Sequence, residues 1–285
     1  MRRHAFRRGD EAVASSLGTM LAILVILALL TMVTTSWAPE WTKGKEAEHM
    51  RMVESQFSSL KALLDQVTLS DNQNMVVSSP LTLGSEGVPL FSADASGNLS
   101  LLSSRSNSYN TVSVVCGAID FERVAYGSIV YQSFNTEYID QTFIYECGAI
   151  VIRQQDGELL TTGPSLIVQN ASGTLAVSVT LLSVYSDGAT YQGTGTIGVQ
   201  CRLVQQKIAT RSEFSNAETV YINVTSGAYI AWYDYFARMP AEWGVGASDY
   251  DITVNTTASS VHLELRNVSL LVTDYAILGT SLDLT

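Results

Sequence analysis

Met20–Val33 reads MLAILVILALLTMV, a run whose only polar side chain is Thr31. It lies inside Ala12–Trp37, 26 residues without a formal charge. About 20 apolar residues at 1.5 Å rise cross a hydrocarbon core of roughly 30 Å. The spacing therefore predicts one membrane-length helix close to the N-terminus. Before it stand Arg2, Arg3, Arg7 and Arg8 with His4; after it, residues 38–285 carry 12 basic and 25 acidic side chains. The cluster of arginines keeps the short N-terminal end cytoplasmic and sends the remainder outside. The whole chain has a formal net charge of -11, against the basic footprint of a nucleic-acid binder. With 46% hydrophobic and 15% charged residues, it has neither the composition of a disordered chain nor that of a collagen.

Three readings fit the N-terminal segment. A cleaved signal peptide would be cut near Ser36-Trp37-Ala38, ahead of Pro39, and an uncleaved signal anchor would simply remain in the bilayer. The third rests on the order of Arg7-Arg8-Gly9, then DEAVASSLGT, then the apolar run. That order resembles the class III signal peptide of archaeal type IV pilins and archaellins. The resemblance implies leader recognition at Arg7 and Arg8 and cleavage between Gly9 and Asp10 by a prepilin peptidase. The apolar helix would then stay on the mature chain, packing against other subunits through Leu17, Gly18, Leu21, Leu24 and Leu27. Many bacterial pilins carry glutamate at the fifth mature position, where this chain has Ala14 with Glu11 second.

Past the apolar run, Pro39 and Gly44 are expected to bend or break the helix. A second helix follows, in which Val53, Phe57, Leu60, Leu64 and Val67 form one apolar stripe. Glu46, Glu48, Arg51, Glu54, Lys61 and Asp65 are assigned to its wet face. Beyond Asp71 come short apolar runs separated by turn residues. Asp156-Gly157 and Asp187-Gly188 each read as a hairpin turn. Val261, Leu263 and Leu265 alternate with His262, Glu264 and Arg266, as on a strand with one buried face. Ser226–Trp243 (SGAYIAWYDYFARMPAEW) reads as a short helix capped by Ser226 and ending before Pro240. Ile230, Tyr233 and Phe236 or Ala237 would share its face, with Trp232 in the core; an aromatic sugar platform is the sharper alternative.

The expected fold is α+β: a long N-terminal hydrophobic and amphipathic helix, then a mainly antiparallel β-sandwich-like ectodomain with one short helix. The segments are a basic leader (1–9), a transmembrane or filament-core helix (10–37), an amphipathic helix (38–70) and an extracellular β-rich domain (71–285). The string FIYECGAIVIRQQDG at 143–157 also resembles, in texture over residues 115–275, large pilin-like surface proteins of methanogenic archaea.

Catalytic signatures are missing from the sequence. His4, His49 and His262 are far apart, and no HExxH, GxSxG or Walker loop occurs. Ser58 and Lys61 have S-x-x-K spacing but sit on the amphipathic helix, and Asp249 with Asp251 reads as loop charge. No catalytic residue, metal or cofactor is assigned. Cys116, Cys147 and Cys201 allow one bridge in three pairings, or none. Asn98, Asn170, Asn223, Asn255 and Asn267 begin five N-glycosylation sequons. The expectation is a non-enzymatic, single-pass membrane protein with its C-terminal domain extracellular. It would be a structural subunit of an archaeal type IV pilus-like filament, partnered by membrane, peptidase and other pilin subunits but no nucleic acid. The rival is a monomeric signal-anchored surface protein whose β-sandwich binds a glycan or envelope component.

Overall fold

The computed structural model describes residues 5–89, 91–103 and 110–284, with side chains from residue 15 onward except those of 118, 206 and 284. A single rod opens the chain: α1 (Ala5–Met32), a π-helical turn (Val33–Trp37) and α2 (Ala38–Ser70). The expected break at Pro39 and Gly44 does not occur. Proline has no N–H to donate and its ring crowds the carbonyl four residues back. The wider turn absorbs this: the Ala38 N–H bonds Val33 O, five residues behind, just before the proline. Gly44 is exposed, and its cost of about 1 kcal/mol in a helix is outweighed by the docking of α2. Asp71 ends the rod in the left-handed conformation (φ 47°), its Oδ1 accepting the Lys207 N–H at 2.8 Å.

The strands are β1 (Val76–Thr82), β2 (Ser96–Leu102), β3 (Thr111–Cys116), β4 (Phe121–Tyr126), β5 (Ser128–Phe134), β6 (Thr142–Glu146), β7 (Ala149–Gln154), β8 (Gly157–Thr162), β9 (Leu166–Ala171) and β10 (Thr174–Tyr185). Then come β11 (Thr190–Gly193), β12 (Thr196–Thr225), helix α3 (Tyr229–Glu242), β13 (Tyr250–Asn255) and β14 (Ser260–Leu284). One sheet has eight strands in the order β4-β3-β12-β14-β10-β9, with β1 also on β12 and β13 on β14. The other has six, β11-β2-β5-β6-β7-β8. Among the described residues, pairing is antiparallel except for β10 with β14, which run parallel. Val261, Leu263 and Leu265 are buried in β14, as their alternation predicts.

The β7–β8 turn falls at Gln155-Asp156 with Gly157 opening β8, so the first Asp-Gly hairpin stands. A second tight turn, Cys147-Gly148 between β6 and β7, has φ of 46° and 80°, the two positive values a type I′ hairpin needs. Asp187-Gly188 is different and corrects the hairpin expectation. Both edges of β10 are already taken by β9 and β14, so this turn carries the chain across to β11 in the six-stranded sheet.

Two apolar clusters result. In one, the α2 stripe Val53, Phe57, Leu60, Leu64 and Val67 packs on Leu81, Leu99, Tyr131, Phe143, Val199 and their neighbours. All five stripe residues are buried, contributing on the order of 10 kcal/mol. Segment 38–70 and the β-domain therefore share a core. In the other, Trp232 and Phe236 join side chains of β3, β10, β12 and β14, with α3 lying against β8, β12, β13 and β14. Helix α3 differs in two details from the sequence reading: Pro240 lies inside it, and Ile230 and Tyr233 are exposed while Ala231, Trp232, Tyr235 and Phe236 are buried. The buried face is set by Trp232, the largest apolar group available, which rotates the helix about one residue from the predicted face. With Trp232 buried, the aromatic sugar platform is lost. Alternate residues of β6 serve both clusters, Phe143 and Tyr145 facing one and Ile144 the other.

Candidate functional site: the exposed apolar helix

From Leu17 to Met32 the large side chains of α1 are bare on every face. Leu17, Leu21, Leu24 and Leu27 are 64%, 62%, 63% and 52% exposed, as are their neighbours Ile23 and Ile26 at similar levels. Among the described residues this is the one helix long and apolar enough to cross a membrane, and none of its apolar window is buried. Residues 15–37 at 1.5 Å each extend roughly 34 Å. The hydroxyls on this stretch are turned back onto the helix: Thr31 bonds Leu27 O at 2.8 Å, Thr34 bonds Leu30 O at 3.0 Å and Thr35 bonds Thr31 O at 2.7 Å. Such pairing satisfies these three donors within the helix itself, as an apolar surrounding requires. Gly18 has open space around the position of an added Cβ.

The bare helix ends at an aromatic shoulder. Trp37 and Trp41 are about half exposed with ring centroids 6.3 Å apart, the arrangement found where a spanning helix meets the headgroup region. One turn on, the rod becomes part of the globule. The Thr42 hydroxyl bonds Ser92 Oγ at 2.9 Å and Lys45 Nζ donates to Gly87 O at 2.9 Å. Glu46, assigned to the wet face, is in fact 1% exposed. Its carboxylate accepts the backbone N–H groups of Thr136, Glu137 and Tyr138 at 2.7, 2.9 and 2.7 Å. His49 is buried beside it with Nε2 3.0 Å from Thr82 O, and burial lowers its pKa below the ordinary value. Extending the apolar stripe upward from Phe57 through Val53 and Met50 lands on Glu46, which is the signal by which its burial was readable.

Arg7, Arg8, Gly9 and Asp10 fall within the helical backbone of α1, but their side chains lie outside the described residues. Residues 12–277 match the profile of DUF7289, a family of unknown function. The chain belongs to that family. No curated protein and no solved structure matches it. The region that defines DUF7289 membership includes both the bare helix and the β-domain.

The remaining predicted residues do not converge on a reaction centre. Cys116, Cys147 and Cys201 are all free and buried, so the bridge allowed by sequence is not formed: each thiol packs as a small apolar group in its own strand or turn. Burial raises the thiol pKa of Cys147 and of Cys201 to about 12. Ser58 Oγ bonds Glu54 O, and Lys61 pairs with Asp65 at 2.6 Å, so the S-x-x-K spacing assembles nothing. Asp249 accepts from Ser248 and Asn267, and no cluster of three or more metal-ligating side chains occurs among the described residues. Of the sequons, Asn98 and Asn223 sit within paired strands, while Asn170, Asn255 and Asn267 are exposed.

Proposed function

We propose that this chain is a non-enzymatic structural subunit of an archaeal type IV pilus-like surface filament, held in the membrane by its N-terminal helix before assembly. The observation that carries the reading is the division of one continuous rod. Its upper half is consumed by the chain's own β-domain, while its lower half is apolar on all sides and bare. Such a surface cannot be left in water, where each large aliphatic side chain costs about 1.5–3 kcal/mol to expose. Lipid satisfies it in the stored subunit, and neighbouring helices satisfy it in a filament core. The class III leader resemblance at Arg7-Arg8-Gly9 supplies the route between the two, through peptidase cleavage before Asp10.

Two measurements test this. N-terminal sequencing of the mature protein is expected to begin at Asp10; a chain starting at Met1 or beyond Trp37 overturns the pilin reading. Sheared, pelletable extracellular material is expected to contain the protein, and Gly18→Leu is expected to diminish it. The space around Gly18 is open within a single chain, so any loss reports contact with another helix.

The second reading, a monomeric anchored surface protein binding a glycan or envelope component, is favoured by the Trp37–Trp41 shoulder, which suits a permanent stay in lipid. It wins if all of the protein remains with detergent-extracted membrane as a monomer.

A further inference from the structure

We propose that Asn255 is the glycan acceptor among the five sequons of this chain. An Asn-x-Ser/Thr acceptor belongs on a surface loop, because the transferring enzyme must close around the tripeptide. Asn255 ends β13 opposite Ser260, the turn Thr256–Ser259 carries the chain into β14, and Asn255 through Ala258 are exposed. Its Oδ1 accepts the Ala258 N–H at 3.0 Å, fixing the carboxamide by its oxygen alone. Nδ2 and the Thr257 hydroxyl have no partner among the described residues. Of the five sequons, this one alone combines exposure at the mouth of a turn with an uncommitted amide nitrogen.

The other four each fail one of those conditions. Asn98 lies between β11 and β5 with a buried Oδ1. Asn223 is half-buried between β3 and β14, its Nδ2 on Ser113 Oγ at 3.3 Å and its Oδ1 2.8 Å from His262 Nδ1. Asn170 and Asn267 are exposed, but Nδ2 of the first donates to Gly244 O at 3.0 Å and that of the second to Asp249 Oδ1 at 2.7 Å. The turn after Asn255 also stands beside the start of α3, where the Ser226 N–H bonds Ser259 O at 3.0 Å. A glycan there belongs to the α3 half of the domain.

The transfer needs a lipid-phosphate-linked oligosaccharide. Nδ2 attacks the anomeric carbon and an N–C bond forms. The C–O bond to phosphate breaks, the lipid phosphate leaves with the electron pair, and Nδ2 loses one proton; nothing is oxidised or reduced. The proposal rests on the outward placement of the β-domain, which both functional readings share.

The test is glycopeptide mass spectrometry on the full-length chain from its native membranes, for wild type, Asn255→Asp, Thr257→Ala and Thr257→Ser. Asn255→Asp keeps the oxygen that caps the turn, so loss of sugar there is not loss of fold. A sugar mass is expected on the wild-type peptide containing Asn255, retained in Thr257→Ser and absent from the other two. Sugar confined to the other four asparagines overturns the assignment. So does a sugar-free chain whose β-domain is cut by protease added to whole cells. A β-domain shielded from that protease until lysis overturns the topology instead, and the functional reading with it.

Discussion

Glu146, the last residue of β6, holds the start of α3 in place. It is 2% exposed; its Oε1 accepts Trp232 Nε1–H at 2.5 Å, and the Ser226 hydroxyl donates to both carboxylate oxygens at 2.8 and 3.0 Å. Ser226 Oγ then accepts the N–H of Ala228, the residue just ahead of α3, so the serine fixes the approach to the helix and the expected side-chain cap on its first turn is not formed. Burial raises the Glu146 pKa, and the bonds from Trp232 and Ser226 pull it partly back. A carboxyl whose pKa is higher folded than unfolded favours the folded state while both forms are protonated. That advantage is lost as pH climbs from the unfolded value near 4.5 through the raised one. The melting temperature of Glu146→Gln minus that of wild type is therefore expected to grow more positive between pH 4.5 and 7. A difference that is flat across this range would mean Glu146 titrates as if exposed. For Glu46 the expectation is steeper: Glu46→Ala strands three backbone donors and should destabilise the detergent-solubilised chain by about 3 kcal/mol in a denaturant melt. Glu146 gave no sign of burial in the sequence, and for Glu46 the stripe through Met50 marked the position but not its partners. A glutamate held by backbone N–H groups from a loop 90 residues away has the same local pattern as a solvated one.

At the scale of elements, α2 and α1 give opposite answers to the same substitution. Leu60→Ala opens a hole against β-strand side chains and should cost about 2–5 kcal/mol of stability. Leu24→Ala, on the bare helix, should leave the melting of the β-domain within about 0.5 kcal/mol of wild type. Equal effects would mean that the two halves of the rod share one environment. Both halves were legible from apolar spacing alone, since a 14-residue aliphatic run and a 3–4 stripe are local signals. Pro39 was legible as a disturbance but not in its form, because widening one turn is cheaper than breaking a helix whose next residues are docked. Sheet order was not legible. The parallel β10–β14 pair and the Asp187-Gly188 crossing are decided by which strand edges remain free after distant strands have paired.

For the whole molecule, the shared core moves the boundary of the folding unit. A fragment beginning at residue 71 lacks the stripe that covers Leu81, Leu99 and Phe143, so it is expected to aggregate, whereas residues 38–285 should be soluble and melt cooperatively. Size-exclusion chromatography of the two fragments decides this; a monodisperse 71–285 would refute the shared core. Reductant should leave the melting temperature unchanged, since no bridge ties the chain.

The three sheltered thiols make the protein its own clock. Cys116 and Cys147 belong to the α3 core and Cys201 to the α2 core. An alkylating reagent reacts with thiolate at an accessible sulfur, so each cysteine records how often its own neighbourhood comes apart. Because β6 and β10 supply side chains to both cores, all three sites should be labelled at one common rate. Were Cys201 to outpace the other two, the rod would be lifting off the sheets by itself. The same chain would then possess a second life as a loosely hinged molecule, timed by thiols it already carries.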